Sequence, residues 1–429
     1  MTYSEAIKHM QDLRMFGTKL GLKNPSRLAS MVDSPHKKLR FIHVAGTNGK
    51  GSVCAMLESV YREAGYCTGL FTSPHLISFR ERIQVNRKLI PEKAVARLTS
   101  QLAESMTSFP KGQTPTFFEM TVVMALCYFS EQKCDVVLWE TGMGGRLDAT
   151  NIVTPIASVI TNIGLDHTRW LGNSLSEIAQ EKSGIIKRDA PAFTAAQQHE
   201  ALSTIRSAAK TQMTELIEID QPNIEFNLSL IGQHQQINAS LTNNVVNKLQ
   251  SILPVSNENI ECGLRNVDWP GRLQIVNIGF QKFLLDGAHN VEGAAMLHQA
   301  LKANFADQSL VFILGMVNEK DGNGFCQKIA PIADHIILSP VRSERSAEPS
   351  TFESVCQKAN PKVKTLVVSC LRQALKHCEK EPFVIITGSF YLVGEAFEQL
   401  GIAPQAAKSE RLLNDWGTPS GMKENNLNT

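Results

Sequence analysis

Apolar residues follow two rhythms along this chain. Mostly apolar stretches at 41–45, 67–71, 135–140 and 155–163 are set off by glycine, proline or charged residues and read as buried strands. Between them the spacing becomes helical: Ala6, Met10, Leu13 and Phe16 share one face, and Val53, Met56, Leu57, Val60 and Ala64 share another. Residues 91–105 are amphipathic, and a strongly apolar helix runs through Phe129. Residues 77–90 alternate in part around Asn86-Arg87-Lys88, which predicts a small β-ribbon. Past Asp268 the alternation restarts, with strands at 283–286, 310–314, 335–338, 363–368 and 384–387 and helices between them, the first over 290–304. Such alternation predicts α/β architecture, a mainly parallel sheet with helices on its faces in each half of the chain. Asp268-Trp-Pro-Gly-Arg272 joins proline and glycine in one hinge, so domains of 1–268 and 269–429 are expected. The polar tail after Ser409 is expected to fray.

Composition agrees with that division. At 429 residues the chain exceeds one ordinary core, and 43% apolar with 20% charged residues describes a globular protein. A net charge of +2 supplies no basic field, so neither nucleic acid nor a membrane surface is expected as a partner. Nine cysteines without a C-x-x-C pair predict reduced thiols and a cytoplasmic protein. The opening residues hold no apolar signal-peptide centre, and the apolar stretch at 121–129 is far short of a membrane span.

The candidate chemistry starts where the strand at 41–45 runs into Gly46-Thr-Asn-Gly-Lys-Gly-Ser52 and then into a helix. Strand, glycine loop and helix aim a row of backbone N–H groups at a phosphate. Lys50 adds an ammonium where β- and γ-phosphates would lie. The loop is off-pattern, however. Val44 stands where a glycine is usual, and Gly51 stands where a metal-binding hydroxyl should follow the lysine, with Ser52 one place late. Part of any magnesium ligation must come from elsewhere. A plain glycine turn is the bland alternative, and the coincidence of strand, loop, lysine and helix argues against it.

More polar groups follow strand ends, where open α/β sheets bind ligands. Thr72-Ser-Pro-His-Leu76 follows 67–71, Glu140 closes 135–140, and His167 follows 155–163. A carboxylate ending a buried strand beside a phosphate loop is the usual second half of a magnesium–nucleotide site, though alone Glu140 would read as a solvated loop residue. His167 alone would read as a satisfied polar residue, yet it leaves the same sheet edge. Thr116 and Glu119 fit a capping box, while Phe117 and Phe118 between them could flank a flat ligand ring; the sequence leaves both readings open. Ser174 and Glu177 form a second capping box, and Lys182 falls in that helix's last turn. Sequence physics alone makes Lys182 a complement to the helix dipole.

These blocks resemble one family. HVAGTNGKGS at 43–52, TSPHL at 72–76, ETGMGGRLDATN at 140–151, LDHT at 165–168, EKSGIIK at 181–187, PGR at 270–272, DGAHN at 286–290 and ITGSF at 386–390 stand in its order and spacing. The family is that of folylpolyglutamate synthase and dihydrofolate synthase, within the Mur ligase superfamily. The resemblance spans residues 20 to about 394. It implies an N-terminal P-loop nucleotide-binding domain and a smaller C-terminal Rossmann-like domain. It also implies a ligase that joins L-glutamate to the carboxylate of dihydropteroate or a tetrahydrofolate through an acyl phosphate, converting ATP to ADP and phosphate.

Carried over residue by residue, the resemblance makes Lys50, Glu140, His167 and Lys182 catalytic. It places ATP against Asn48, Gly49, Lys50, Gly51, Ser52, Asn238, Arg272 and Asp286. The pterin-bearing substrate meets Gly21, Leu22, Thr116, Phe117, Phe118, Glu119, Leu147, Asp148 and Ala149, and glutamate meets His289 and Ser389. Ser73 and Glu140 hold one Mg2+ and His167 a second. Lys182 becomes a carbamate, which reverses the reading from helix physics, and the family leaves room for a monovalent cation. At Lys23 and Asn24 the sequence departs from the acid–base pair common in the family. A cytoplasmic monomer acting on small molecules is implied. A Mur-type cell-wall amino-acid ligase would share the loop, glutamate, histidine and lysine, but those enzymes usually carry a separate domain before the P-loop strand. A nucleotide-binding module that only signals would have no use for Glu140, His167 and Lys182.

Overall fold

The computed structural model describes residues 1–17, 19–220, 225–403 and 408–414, and two sheets organise them. The first contains β1 (Phe41–Ala45), β2 (Thr68–Phe71), β3 (Ile83–Val85), β4 (Lys88–Leu89), β5 (Val136–Glu140), β6 (Ala157–Ile160), β7 (Ala192–Thr194) and β8 (Leu216–Glu218), in the spatial order β4-β3-β2-β5-β1-β6-β7-β8. All neighbouring strands pair in parallel except that β3 lies antiparallel to both β2 and β4. The β3–β4 ribbon is shorter than expected: Phe79–Arg82 forms a tight helical turn first, and Asn86 and Arg87, both at positive φ, make the two-residue turn.

Alternate residues of the central strands feed two cores. Phe41, Phe71, Val137 and Trp139 pack beneath the apolar helix Phe117–Glu131, while Ile42, Val44, Leu70 and Leu138 pack beneath the helix Lys50–Glu63. This two-sided burial is why these strands read as continuous apolar runs. Register then fixes the edge where chemistry gathers. Val44 lies opposite Glu140, Ala45 opposite Ile160, and Phe71 opposite Trp139. The chain therefore leaves β1, β2, β5 and β6 at one level, where an α/β sheet opens its ligand crevice.

The second sheet contains β9 (Gln274–Ile278), β10 (Gln281–Leu285), β11 (Val311–Leu314), β12 (His335–Leu338), β13 (Lys364–Val367) and β14 (Phe383–Thr387), in the order β13-β12-β11-β14-β10-β9. Five of these strands are parallel, and β9 pairs antiparallel with β10 across Gly279-Phe280. Strand–helix alternation does not announce β9, because a half-buried edge strand in a hairpin has no crossover helix. Among the described residues no helix is long and apolar enough to cross a membrane.

The expectation of a frayed tail fails for its described part. Lys408–Leu412 is helical, and Glu410, Leu413 and Asn414 are buried. Glu410 accepts hydrogen bonds from Tyr3 Oη (3.0 Å), Ser78 Oγ (2.7 Å) and the Phe79 N–H (2.9 Å). Asn414 Oδ1 accepts from the fully buried Arg82 at 2.7 Å, and the Asn414 main-chain carbonyl accepts from Tyr391 Oη at 2.6 Å. The segment is polar because it satisfies buried groups, and it ties both halves of the molecule together. The remainder of the predicted tail, 415–429, lies outside the described residues.

Candidate active site

The loop after β1 is shaped by what surrounds its glycines. A methyl on Gly46 would run into the Thr161 hydroxyl, and one on Gly49, at φ +84°, would lie 2.9 Å from Asn238 Oδ1. Gly51 has a steric reason for its departure from pattern: a Cβ there would lie 2.9 Å from Cζ2 of Trp269. Crosslinks to the residues after β6 hold the loop open. The Asn48 N–H donates to Asn162 Oδ1 at 2.7 Å, and Thr161 Oγ1 donates to the Asn48 carbonyl at 2.6 Å. Lys50 Nζ curls back onto the carbonyls of Gly46 (3.1 Å) and Thr47 (3.3 Å).

Glu140 arrives beside this loop at the end of β5, buried, with Oε2 accepting from the Ser73 N–H at 3.0 Å. Burial raises its pKa, against the pull of Lys50, the Ser73 N–H and Arg272. The Ser73 hydroxyl is buried without a partner. Lys182 is not a surface complement to a helix dipole. It is 4% exposed, and its Nζ donates to the Gly46 carbonyl at 2.8 Å. Burial and then the Lys50 ammonium push its pKa down to about 7. His167 sits at φ +52°, its side chain 44% exposed. Partial burial and the Lys320 ammonium lower its pKa, water screens part of that shift, and the ring is neutral at pH 7.

The second sheet closes the site. Arg272 is stacked on the Phe390 ring at 4.3 Å and lines the same cleft of about 1400 Å3 as Lys50, Glu140, His167 and Lys182. Asn48, Gly49, Gly51, Ser52, Ser73, Asn238, Asp286, His289 and Ser389 line it too. Several of these also have structural work. Asp286 accepts from the N–H groups of Leu273 (2.9 Å) and Ala288 (3.0 Å), and Ser389 caps the helix Phe390–Gln399. Asn238 Nδ2 donates to Gln235 at 3.0 Å.

Sequence reading missed the polar contact between the halves. Asp166 takes Lys320 Nζ at 2.5 Å and Asn290 Nδ2 at 3.3 Å, with His289 Nε2 at 3.8 Å. Burial pushes Asp166 up, but Lys320, His167 and His289 outweigh it and hold the carboxyl well below its usual range. Asn48 meets Asn290 (3.1 Å) and Glu292 (3.3 Å) across the same gap. The only local signal was the position of Asp166 beside His167.

The residues expected around a pterin gather apart from the cleft. Thr116, Phe117, Phe118, Glu119, Leu147, Asp148 and Ala149 line a pocket of about 50 Å3, with Met143 shared between it and the cleft. The Gly21 N–H donates to the Leu147 carbonyl at 2.9 Å, while Leu22 lines neither cavity and begins the helix Lys23–Ser30. Thr116 and Glu119 do form the capping box, at 2.6 and 3.3 Å, and Glu119 remains in the pocket wall.

Among the described residues no three His, Cys, Asp or Glu side chains converge as a closed metal cage. The donors present instead suit Mg2+, which takes one or two protein oxygens and completes its shell with phosphate and water. The unpartnered Ser73 hydroxyl beside the Glu140 carboxylate is such a pair.

Comparison with known proteins identifies the family and the fold. Residues 44–200 match the Mur ligase middle domain, and residues 271–390 match the Mur ligase glutamate ligase domain. The chain is 34% identical over 427 residues to the dihydrofolate synthase/folylpolyglutamate synthase of Bacillus subtilis, covering 93% of this chain and 99% of that protein. It is 31% identical over 409 residues to the enzyme of the same name from Escherichia coli, with 91% and 94% covered. The crystal structure of folylpolyglutamate synthase from Thermotoga maritima superposes with a TM-score of 0.83 at 29% identity, covering 95% of this chain and 99% of that one. Escherichia coli FolC in complex with DHPP and ADP gives 0.83 at 28% identity, covering 94% and 98%. By sequence over more than nine-tenths of its length and by fold, this chain belongs to the dihydrofolate synthase/folylpolyglutamate synthase family of Mur ligases.

Proposed function

We infer that the protein is an ATP-dependent carboxylate–amine ligase that adds L-glutamate to a pterin or folate acid, giving ADP and phosphate. One observation carries this reading: the phosphate loop, the Ser73–Glu140 pair, the depressed amine of Lys182 and, from the second sheet, Arg272 all line one cleft. A carboxylate does not condense with an amine at neutral pH. Its oxygen must first attack the γ-phosphorus of ATP and displace ADP; the glutamate amine then attacks the acyl phosphate carbon, and phosphate leaves.

Two anions meet in the first step, so positive charge and N–H donors aimed at the phosphates dominate the catalysis. In this reading Lys50 leaves the loop carbonyls for the β- and γ-phosphates, the N-terminal turn of Lys50–Glu63 takes phosphate oxygens, and Arg272 reaches them from the other side. Ser73 and Glu140 would hold one magnesium ion and His167 a second, which when bound screens the charge between the reacting anions. Lys182, with an amine neutral in a large fraction of molecules near pH 7, is suited to capture CO2 as a carbamate. We assign 1–268 to the ATP-binding unit and 269–429 to the glutamate unit, with the hinge at the boundary. The small pocket by Phe117 and Phe118 takes the pterin end.

The test is phosphate release with ATP and glutamate, offering dihydropteroate and tetrahydrofolate in turn. Release must depend on at least one acceptor and must fall by about two to three orders of magnitude in Glu140→Ala. Acceptor-independent release, or unchanged turnover in that variant, overturns the reading.

A further inference from the structure

The linker between the two sheets is laid along the phosphate-binding helix. Near the far end of that helix, a Cβ on Gly263 would lie 2.5 Å from the Val60 Cα, and Ser59 Oγ donates to the Gly263 carbonyl at 2.8 Å. At the near end the same segment brings Trp269 over Gly51. The indole Nε1 stands 3.1 Å, and Cζ2 2.9 Å, from the point a Gly51 Cβ would occupy. Arg87, at the β3–β4 turn, completes the seat: its guanidinium lies 5.5 Å from the Trp269 ring centroid, and its Nη2 donates to the Asp268 carbonyl at 2.5 Å. Three residues beyond Trp269 comes Arg272, in the cleft.

The seat is polar as well as steric. Trp269 Nε1 and Arg87 Nη1 are buried without hydrogen-bond partners, and both residues line the cleft. A buried N–H left without an acceptor is destabilising, and an indole normally finds a partner for it. Here the N–H sits at the N-terminal turn of the helix Lys50–Glu63, whose free N–H groups and dipole favour an anion. Gly51 and Trp269 then form one device. A side chain at position 51 would displace the indole, and the indole brings a donor where the usual hydroxyl is missing.

We propose that Trp269 is a nucleotide-positioning residue: its indole N–H donates to a phosphate oxygen of the bound nucleotide, and its ring, seated on Gly51, sets the register of the linker that delivers Arg272. The proposal rests on the ligase reading of the cleft, and the experiment separates the two. Calorimetric titration of the full chain with Mg-ADP comes first. If wild type does not bind, the ligase reading fails. If wild type binds and Trp269→Phe binds within twofold of it, the reading stands and this inference is overturned.

The expected result is that Trp269→Phe, which keeps a ring but loses the N–H, weakens Mg-ADP by about fivefold to twentyfold. Its KM for ATP should rise similarly, with kcat and the other KM values within about twofold and the ligand-free unfolding midpoint no lower than that of wild type. Trp269→Ala, which also loses the ring, should lower kcat in addition, because Arg272 loses its register. A residue that merely fills space would instead lower the midpoint of both variants and leave the KM for ATP alone. Should the variants not fold, 15N-indole spectra of wild type decide the matter. With Trp170 and Trp416 assigned through W170F and W416F, one of the other two indole N–H peaks must move on adding Mg-ADP, and the inference fails if neither moves.

Discussion

Replacing Lys182 by methionine removes an ammonium from a place that disfavours it, and its surroundings set the size of the effect. The side chain is 4% exposed, faces the Lys50 ammonium, and has its pKa lowered from an ordinary 10.5 to about 7. At roughly 1.4 kcal/mol per factor of ten in proton affinity, carrying the proton in the fold costs on the order of 5 kcal/mol relative to water. Against this stands the bond to the Gly46 carbonyl, about 1 kcal/mol net. Methionine fills similar space without charge, so K182M should be the more stable protein at pH 6, by about 4 kcal/mol at the upper end.

The sign of the pH dependence follows from linkage. Below the folded pKa of about 7 both states hold the proton and the whole penalty is present. Between about 7 and 10.5 only the unfolded chain holds it, so wild type gains stability as pH rises. In urea unfolding under CO2-free conditions, the advantage of K182M should be flat below about pH 6.5 and shrink by about 1.4 kcal/mol per pH unit above about 7.5. Added bicarbonate at pH 8 should stabilise wild type and leave K182M unchanged, because only the lysine can form a carbamate. Activity should be lost in the variant at every pH. An advantage that does not vary with pH, or a K182M protein less stable than wild type at pH 6, refutes the reasoning.

Three further outcomes are expected. Lys320→Met strands the Asp166 carboxylate among buried groups and should cost about 3–5 kcal/mol in denaturant unfolding; Asp166→Asn on top should restore part of it, and additive losses would show that the 2.5 Å pair is not coupled. Glu410→Ala leaves the Tyr3 and Ser78 hydroxyls and the Phe79 N–H without their acceptor, so the unfolding free energy should fall by about 2–4 kcal/mol, and an unchanged midpoint would remove Glu410 from the account of the fold. Gly46→Ala drives a methyl into the Thr161 hydroxyl and should abolish Mg-ADP binding measured by calorimetry while circular dichroism stays native; full binding would mean the loop has room to spare.

What the sequence made legible is what neighbouring residues decide. Strand, glycine loop and helix follow one another from Phe41 to Glu63, and Glu140 ends its own strand, so both could be placed without long-range knowledge. The illegible part consists of pairs far apart in the chain. Asp166 and Lys320 are separated by 154 positions and Ser78 and Glu410 by 332, and each residue alone has the composition of a loop. Lys182 is the sharper case, because local physics supplies a sufficient reason for a lysine in a last turn and the wrong environment. Its burial is decided by glycines elsewhere. A Cβ on Gly145 would lie 2.8 Å from the Lys182 carbonyl, and a methyl on Gly184 would collide with Arg146, so the run after β5 and the end of the helix Leu175–Ser183 can touch only because both are bare. The glycine-rich stretch at 141–151 is thus the surface against which the end of that helix packs, where Lys182 reaches the Gly46 carbonyl.

The same logic accounts for the phosphate loop. A hydroxyl directly after Lys50 would need a Cβ at position 51, and that space belongs to Trp269, whose chain carries Arg272 into the cleft. A ligase built from two units needs its linker against the nucleotide more than it needs a metal ligand on the loop, since a hydroxyl can come from another strand end and the linker cannot. Ser73 stands at such an end, with its Oγ buried and unpartnered and its N–H on Glu140. On the proposed reading, the off-pattern glycine thus follows from a linker that must bring Arg272 into the cleft beside the loop. Restoring the hydroxyl at position 51 should therefore weaken the site rather than improve it: Gly51→Ser is expected to bind Mg-ADP less tightly than wild type, and tighter binding in that titration would break the link between Gly51 and the hinge.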